Sequence, residues 1–185
     1  GLSITASSLM EVADPQQAQS LDGICDVLVP ASRVVRDIPA LTALRAAFRG
    51  HIRLIVNEAC LPGCLLRVQH FFEMGSAVAA PESLCAELLA RHPWMRLTGA
   101  WILPQHLHLY EGLYDELKLA GRATLHDLKQ YRHVLDAYVQ RQPLLPNEIG
   151  GGPASVLDPI DISESFFAAT LRCGRQCHTC DRCRD

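Results

Sequence analysis

Apolar positions along the chain fall into two rhythms, short continuous runs and longer stretches with an apolar residue every three or four positions. The runs at 2–5, 26–30, 51–56, 97–103 and 116–119 read as strands buried on both faces. Between them lie helical stretches. One covers 14–23 and opens on Asp14-Pro15, a cap followed by a proline at the first helical position. A second covers 37–48, with Ile38, Leu41, Leu44 and Phe48 on one face and Gly50 just past its end. Further helices are expected over 65–74, over 81–91 and from Pro104 onward. The last, 124–141, carries Leu125, Leu128, Tyr131, Leu135 and Tyr138 on one face, with Thr124 as its cap.

Strand, turn and helix in regular alternation imply an α/β protein with a parallel sheet covered by helices. Five such units are too few to close an eight-stranded barrel, which takes ~250 residues. The pattern therefore suits a doubly wound sheet or a part of a TIM-like barrel. After Gln142 the composition changes: Pro143, Pro146, Gly150, Gly151, Gly152, Pro153 and Pro159 mark a loop-rich stretch. The expected organisation is a βα region over 1–142, a linker over 143–172 holding a short helix within 161–170, and a cysteine-rich tail over 173–185.

With 49% hydrophobic residues among 185, the chain can bury a sizeable core and is not of the disordered class. The net charge of −3 makes no global case for nucleic-acid binding, so a nucleic acid enters only as a substrate. No apolar run approaches the ~20 residues of a membrane span, and the first residues lack a charged signal region. The expectation is a soluble, cytoplasmic protein.

Cysteine usage changes the picture most. Of eight cysteines, Cys25 and Cys85 lie within apolar patterns and read as small core residues. The other six form two clusters. Cys60 and Cys64 follow the third strand in Asn57-Glu58-Ala59-Cys60-Leu61-Pro62-Gly63-Cys64, with Arg67 and His70 just beyond. The carboxyl ends of strands carry the functional site in α/β sheets and barrels. Cys173, Cys177, Cys180 and Cys183 crowd the tail, with His178 among them. Zinc sites usually draw on two separated pairs, whereas four thiols this close resemble the compact runs of iron–sulfur proteins. A tail folded back over the sheet would bring its thiols to Cys60 and Cys64, so that one four-ligand centre draws on both segments. Metal-ligand candidates are thus Cys60, Cys64, Cys173, Cys177, Cys180 and Cys183, for a [4Fe–4S] cluster or alternatively for zinc.

Two segments together resemble a known family. Asn57-x2-Cys60-x3-Cys64-x2-Arg67-x2-His70 resembles the Asn…Cys…Cys…Arg…His stretch of the collagenase-like peptidase family (U-thirty-two) and its iron–sulfur relatives. Asp115-Glu116-Leu117-Lys118-Leu119-Ala120-Gly121-Arg122 resembles that family's Lys-Ile-Glu-Gly-Arg segment at a late barrel strand, departing from it at Leu119 and Ala120. Trp101 to Leu107 resembles the approach to the preceding helix, with Leu103 and Gln105 in place of charged residues. The resemblance covers about 3–141 and implies the later part of a TIM-like barrel, completed by an amino-terminal half, a partner subunit or a second copy. It also implies a [4Fe–4S] cluster and oxygen-independent hydroxylation of an aromatic or nucleobase substrate. Asn57, Glu58, Arg67 and His70 would then line the cluster, while Lys118 and Arg122 would bind an anionic group of the substrate. A zinc-stabilised interaction module is the alternative. Peptidase activity is a lesser one, since the sequence has no His-Glu-x-x-His motif.

Overall fold

The computed structural model describes residues 1–58, 60–75, 84–120, 127–149 and 161–184. Its centre is a four-stranded parallel sheet with the strands in chain order: β1 (Thr5–Ala6), β2 (Val27–Leu28), β3 (His51–Ile55) and β4 (Glu116–Lys118). Thr5 pairs with Val27, Val27 with His51, and Arg53 with Glu116. A doubly wound sheet reverses its order at a switch point. This one does not, and an all-parallel sequential sheet is compatible with part of a βα barrel.

Helices cover the sheet where the sequence provides a cap and an apolar stripe. In α1 (Pro15–Leu21) the Asp14 carboxylate accepts from the Gln16 and Gln17 amides, both at 2.9 Å. Gln17 in turn accepts from the Ala13 amide. A short α2 (Ser32–Val35) leads into α3 (Ile38–Ala47), capped by Asp37 through the Ala40 amide. α3 buries Leu41 and Leu44, and Phe48 follows them into the core. Gly50 then brings the chain back against β2. A Cβ there would lie 2.7 Å from both the Asp26 carbonyl oxygen and the Phe48 ring, so only glycine allows this approach.

α4 (Arg67–Gly75) and α5 (Leu84–Arg91) follow β3. α6 (Leu128–Gln140) starts from Asp127, whose carboxylate accepts from the Lys129 amide; the expected cap, Thr124, lies outside the described residues. α7 (Glu164–Thr170) is capped by Ser163.

Residues 97–103 do not form the expected strand. Pro93–Thr98 is a 3₁₀ turn, and only Trp101 bridges, in antiparallel fashion, to Asn57. Ala100 to Leu103 are fully buried, which is why they read as a core strand. Their backbone groups find other partners. Arg36 donates to the carbonyls of Leu97 (2.6 Å) and Gly99 (3.0 Å), the Tyr138 hydroxyl donates to the Ile102 carbonyl, and the Ile102 amide donates to Val56. Side chains take the place of a ladder. Pro104–Tyr110, expected as an α-helix, is also 3₁₀.

The described part of 143–172 packs into the same core. Leu144, Ile149, Ile162, Phe167 and Leu171 are all buried against it. Gln105 holds Leu144 by donating to its carbonyl and accepting from its amide. Phe167 stacks on His106 with ring centroids 4.3 Å apart, and the Arg36 guanidinium lies over the Trp101 and Phe167 rings at 4.6 and 4.8 Å. Burial lowers the Arg36 pKa to about 10, so it remains a fixed cation at neutral pH. Among the described residues no helix is long and apolar enough to cross a membrane.

Candidate functional site

At the carboxyl ends of the strands, the Asn57 side chain is spent on the backbone. Its amide donates to the carbonyls of Ala120 (3.0 Å) and Ile149 (3.3 Å), and its oxygen accepts from the Ala120 amide at 2.7 Å. Fully buried, it ties the end of β3 to the segment leaving β4 and to the loop before residue 150. Asn57 therefore positions the rim.

Next to it lies a buried ion network. The Arg67 guanidinium, 3% exposed, pairs with Glu58 and with Glu11 (3.0 Å) and donates to the Ser8 hydroxyl at 3.2 Å. Glu11 also takes Arg33 at 3.2 Å. Two carboxylates and two guanidiniums balance, which is what allows charges at this depth. The network joins the loop after β1, α2, the end of β3 and the start of α4. Glu11 and Ser8 are partners the sequence did not suggest, because nothing local marks a residue that far from Arg67.

Cys60 and Cys64 meet through a turn. Pro62 and Gly63, the latter at φ +69°, sit between Leu61 and Cys64, whose amide donates to the Leu61 carbonyl at 3.2 Å. That is the residue pairing a type II turn requires. The Arg67 amide then donates to the Cys64 carbonyl and α4 begins. The Cys60 thiol feels Cys64, Cys85 and Glu11, and burial first and these groups next push its pKa up to about 11. Cys85, half-buried on α5, is likewise shifted upward by burial and then by Cys64. Cys85, expected in the core, is only half-buried and lies near enough to Cys64 to feel its charge. Its only sequence signal was its chemistry, since a cysteine on an apolar helix face looks like packing. His70 is half-buried one turn beyond Arg67 on α4. Lys118 is exposed at the end of β4, and Arg122 lies outside the described residues.

The tail makes a second group. Cys173, Cys177, Cys180 and Cys183 all line one cavity, together with Arg36, Trp94 and Thr170. The Cys183 thiol is raised by burial, lowered by Arg36, and raised by the other three tail thiols. Among the described residues, no three His, Cys, Asp or Glu side chains converge closely enough to hold a metal ion. In kind, both donor sets suit thiophilic centres, because closely placed thiols oppose one another's ionisation and a bound cation reverses that.

Fold and site thus define a parallel α/β protein with two thiol groups, one of them beside a buried charge network at the strand ends. Compared with known proteins, the chain is similar to a protein of Methanocaldococcus jannaschii named an uncharacterized protease. The two are 25% identical over 173 residues, covering 83% of this chain and 50% of that protein. This distant homology is consistent with the collagenase-like peptidase resemblance. The chain spans about half the length of the curated relative it matches. No family model matches it, and no solved structure does.

Proposed function

We propose that the protein is an iron–sulfur protein of the U-thirty-two type, with a redox site at the carboxyl ends of its strands. The observation that carries this reading is the Cys60–Cys64 pair, brought round by the turn at Pro62-Gly63 and lying beside the Glu58–Arg67–Glu11 network at the strand ends. A [4Fe–4S] cluster bound there would supply one-electron chemistry, of use in oxygen-independent hydroxylation of an aromatic or nucleobase substrate with an external oxygen donor. The chain's own residues have separable tasks. Cys60 and Cys64 would be ligands, with Cys85 as a further thiol candidate; Arg67 and Glu58 hold the approach to them rigid, and Asn57 fixes the strand ends. His70, one turn along from Arg67, reaches the same face. Lys118 offers a positive charge to an anionic substrate group, with Arg122 as a second candidate. The homology to a chain twice as long supports an amino-terminal half, a partner subunit or a second copy as the complement of this sheet. Clustered cysteines in a chain with a full core suit a reducing compartment such as the cytoplasm.

Anaerobic purification followed by iron and acid-labile sulfide analysis tests the reading. Wild type is expected to carry iron and sulfide with visible charge-transfer absorption, and Cys60→Ser is expected to lose part of both. Zinc alone, with no visible absorption, would overturn it in favour of a zinc-stabilised module. The relative's name favours a second reading, peptidase activity. Cleavage of gelatin or a quenched peptide by wild type, abolished in Glu58→Gln, would establish it.

A further inference from the structure

The carboxyl-terminal thiols stand apart from the strand-end group in what surrounds them. We propose that Cys173, Cys177, Cys180 and Cys183 form a thiophilic metal centre of their own, docked on the Arg36 side of the body and needing no ligand from Cys60 or Cys64. This goes beyond the redox reading and does not depend on it.

Ligand number is the first argument. Four thiolates complete a tetrahedral zinc site or the four corners of a [4Fe–4S] cluster. All four tail cysteines line the same cavity, so the donors of a four-ligand centre are present without a distant one, and their side chains would close to ligand distance as metal binds. The backbone supports this. The Cys173 amide donates to the Thr170 carbonyl at 3.3 Å, which anchors the first ligand to the end of α7. Arg175 then adopts φ +54°, a left-handed conformation uncommon outside glycine. That turn lets the Arg175 amide donate to the Cys173 sulfur at 3.4 Å, the kind of N–H contact that stabilises a thiolate ligand. Two further turns follow, from Gln176 to Thr179 and from Asp181 to Arg184. Arg184 closes the loop by donating to the Cys177 carbonyl at 3.0 Å, and its guanidinium lies 4.9 Å from the Trp94 ring centroid. The tail is therefore already folded, and already seated on the body.

Charge is the second argument. Four thiolates around a divalent ion leave two negative charges in excess, which need counter-charges close by. Arg36, Arg175 and Arg182 line the same cavity. Arg36 is held in place by Thr170 and by the Leu97 and Gly99 carbonyls, beneath the Trp101 and Phe167 rings. A buried, immobile cation facing four cysteines has an obvious use if those cysteines are ionised and bridged by metal.

The test uses the full chain as wild type, as Cys60→Ser/Cys64→Ser and as Cys177→Ser/Cys180→Ser. Each is purified anaerobically and loaded in separate arms with ferrous iron plus sulfide or with zinc chloride, and metal per chain is measured. Relative to wild type, the tail variant is expected to lose one centre, about four irons or about one zinc. The Cys60/Cys64 variant is expected to keep that centre. In wild type, loading should also slow alkylation of all four tail cysteines at least tenfold, read peptide by peptide, and this measurement needs no mutation. The arm in which protection develops identifies the metal. Equal metal in the tail variant and wild type, with no protection of the tail, would overturn the proposal. So would loss of one and the same centre from both variants, since that marks a shared site. Failure of the strand-end reading looks different: Cys60→Ser/Cys64→Ser would bind as much metal as wild type while the tail centre persists.

Discussion

Arg67 is the residue whose removal should cost the fold most for its size. The substitution Arg67→Met keeps most of the apolar stem and deletes the guanidinium. Glu58 is then left nearly fully buried without a cation, and the Ser8 hydroxyl loses its donor. Glu11 suffers less, because it is more exposed and keeps Arg33 at 3.2 Å. The dominant loss is thus a single uncompensated carboxylate, and breaking a buried pair from one side costs about 3–5 kcal/mol. With a urea slope of about 2 kcal/mol per molar, the unfolding midpoint at pH 7 should fall by about 1.5 M or more. Glu58→Gln should cost less, about 1–3 kcal/mol, since the amide oxygen still accepts from Arg67. The decisive measurement is the double-mutant cycle. Glu58→Leu/Arg67→Met removes both charges together, so it should be more stable than the sum of the single losses by about 2 kcal/mol. A midpoint shift under about 0.3 M for Arg67→Met, or strict additivity in the cycle, would show that the pair is solvated and not a buried girder.

Two further outcomes concern the buried side chains of His106 and Asn57. His106 is 2% exposed, and burial lowers its pKa to about 4. Between an unfolded value of about 6.5 and that folded value the unfolded chain binds more protons, so stability should fall as pH drops from 6.5 to 4, by about 3 kcal/mol in all. Urea titrations across this range check it, and a His106→Gln protein with the full wild-type slope would refute it. Asn57→Ala should cost about 3 kcal/mol, because the Ala120 amide and two carbonyls lose their buried partner. Hydrogen exchange at the Ala120 amide should accelerate together with the loss, and unchanged protection there would contradict the assigned role.

Much of the architecture was legible along the chain because it is written locally. Asp14-Pro15 announces a helix start through a side chain that reaches its own next turn, and Asp37 and Ser163 do the same chemistry in the structure. Runs such as 26–30 and 51–56 announce buried strands, and their even spacing predicts a parallel sheet. The clustering of cysteines was plain from spacing alone, whereas the turn at Pro62-Gly63 that joins Cys60 to Cys64 was seen only in the structure. Tertiary structure decided what the buried groups are bonded to. The stretch at Ala100–Leu103 has the apolarity of a core strand, yet Arg36 and Tyr138 take its carbonyls and no ladder forms. Glu11 meets Arg67, and Cys85 influences Cys60, only because segments far apart in the chain are brought near one another by the fold. Periodicity records that a position is buried. It carries no record of which distant residue will lie against it, and the chemistry of both thiol groups depends on that second fact.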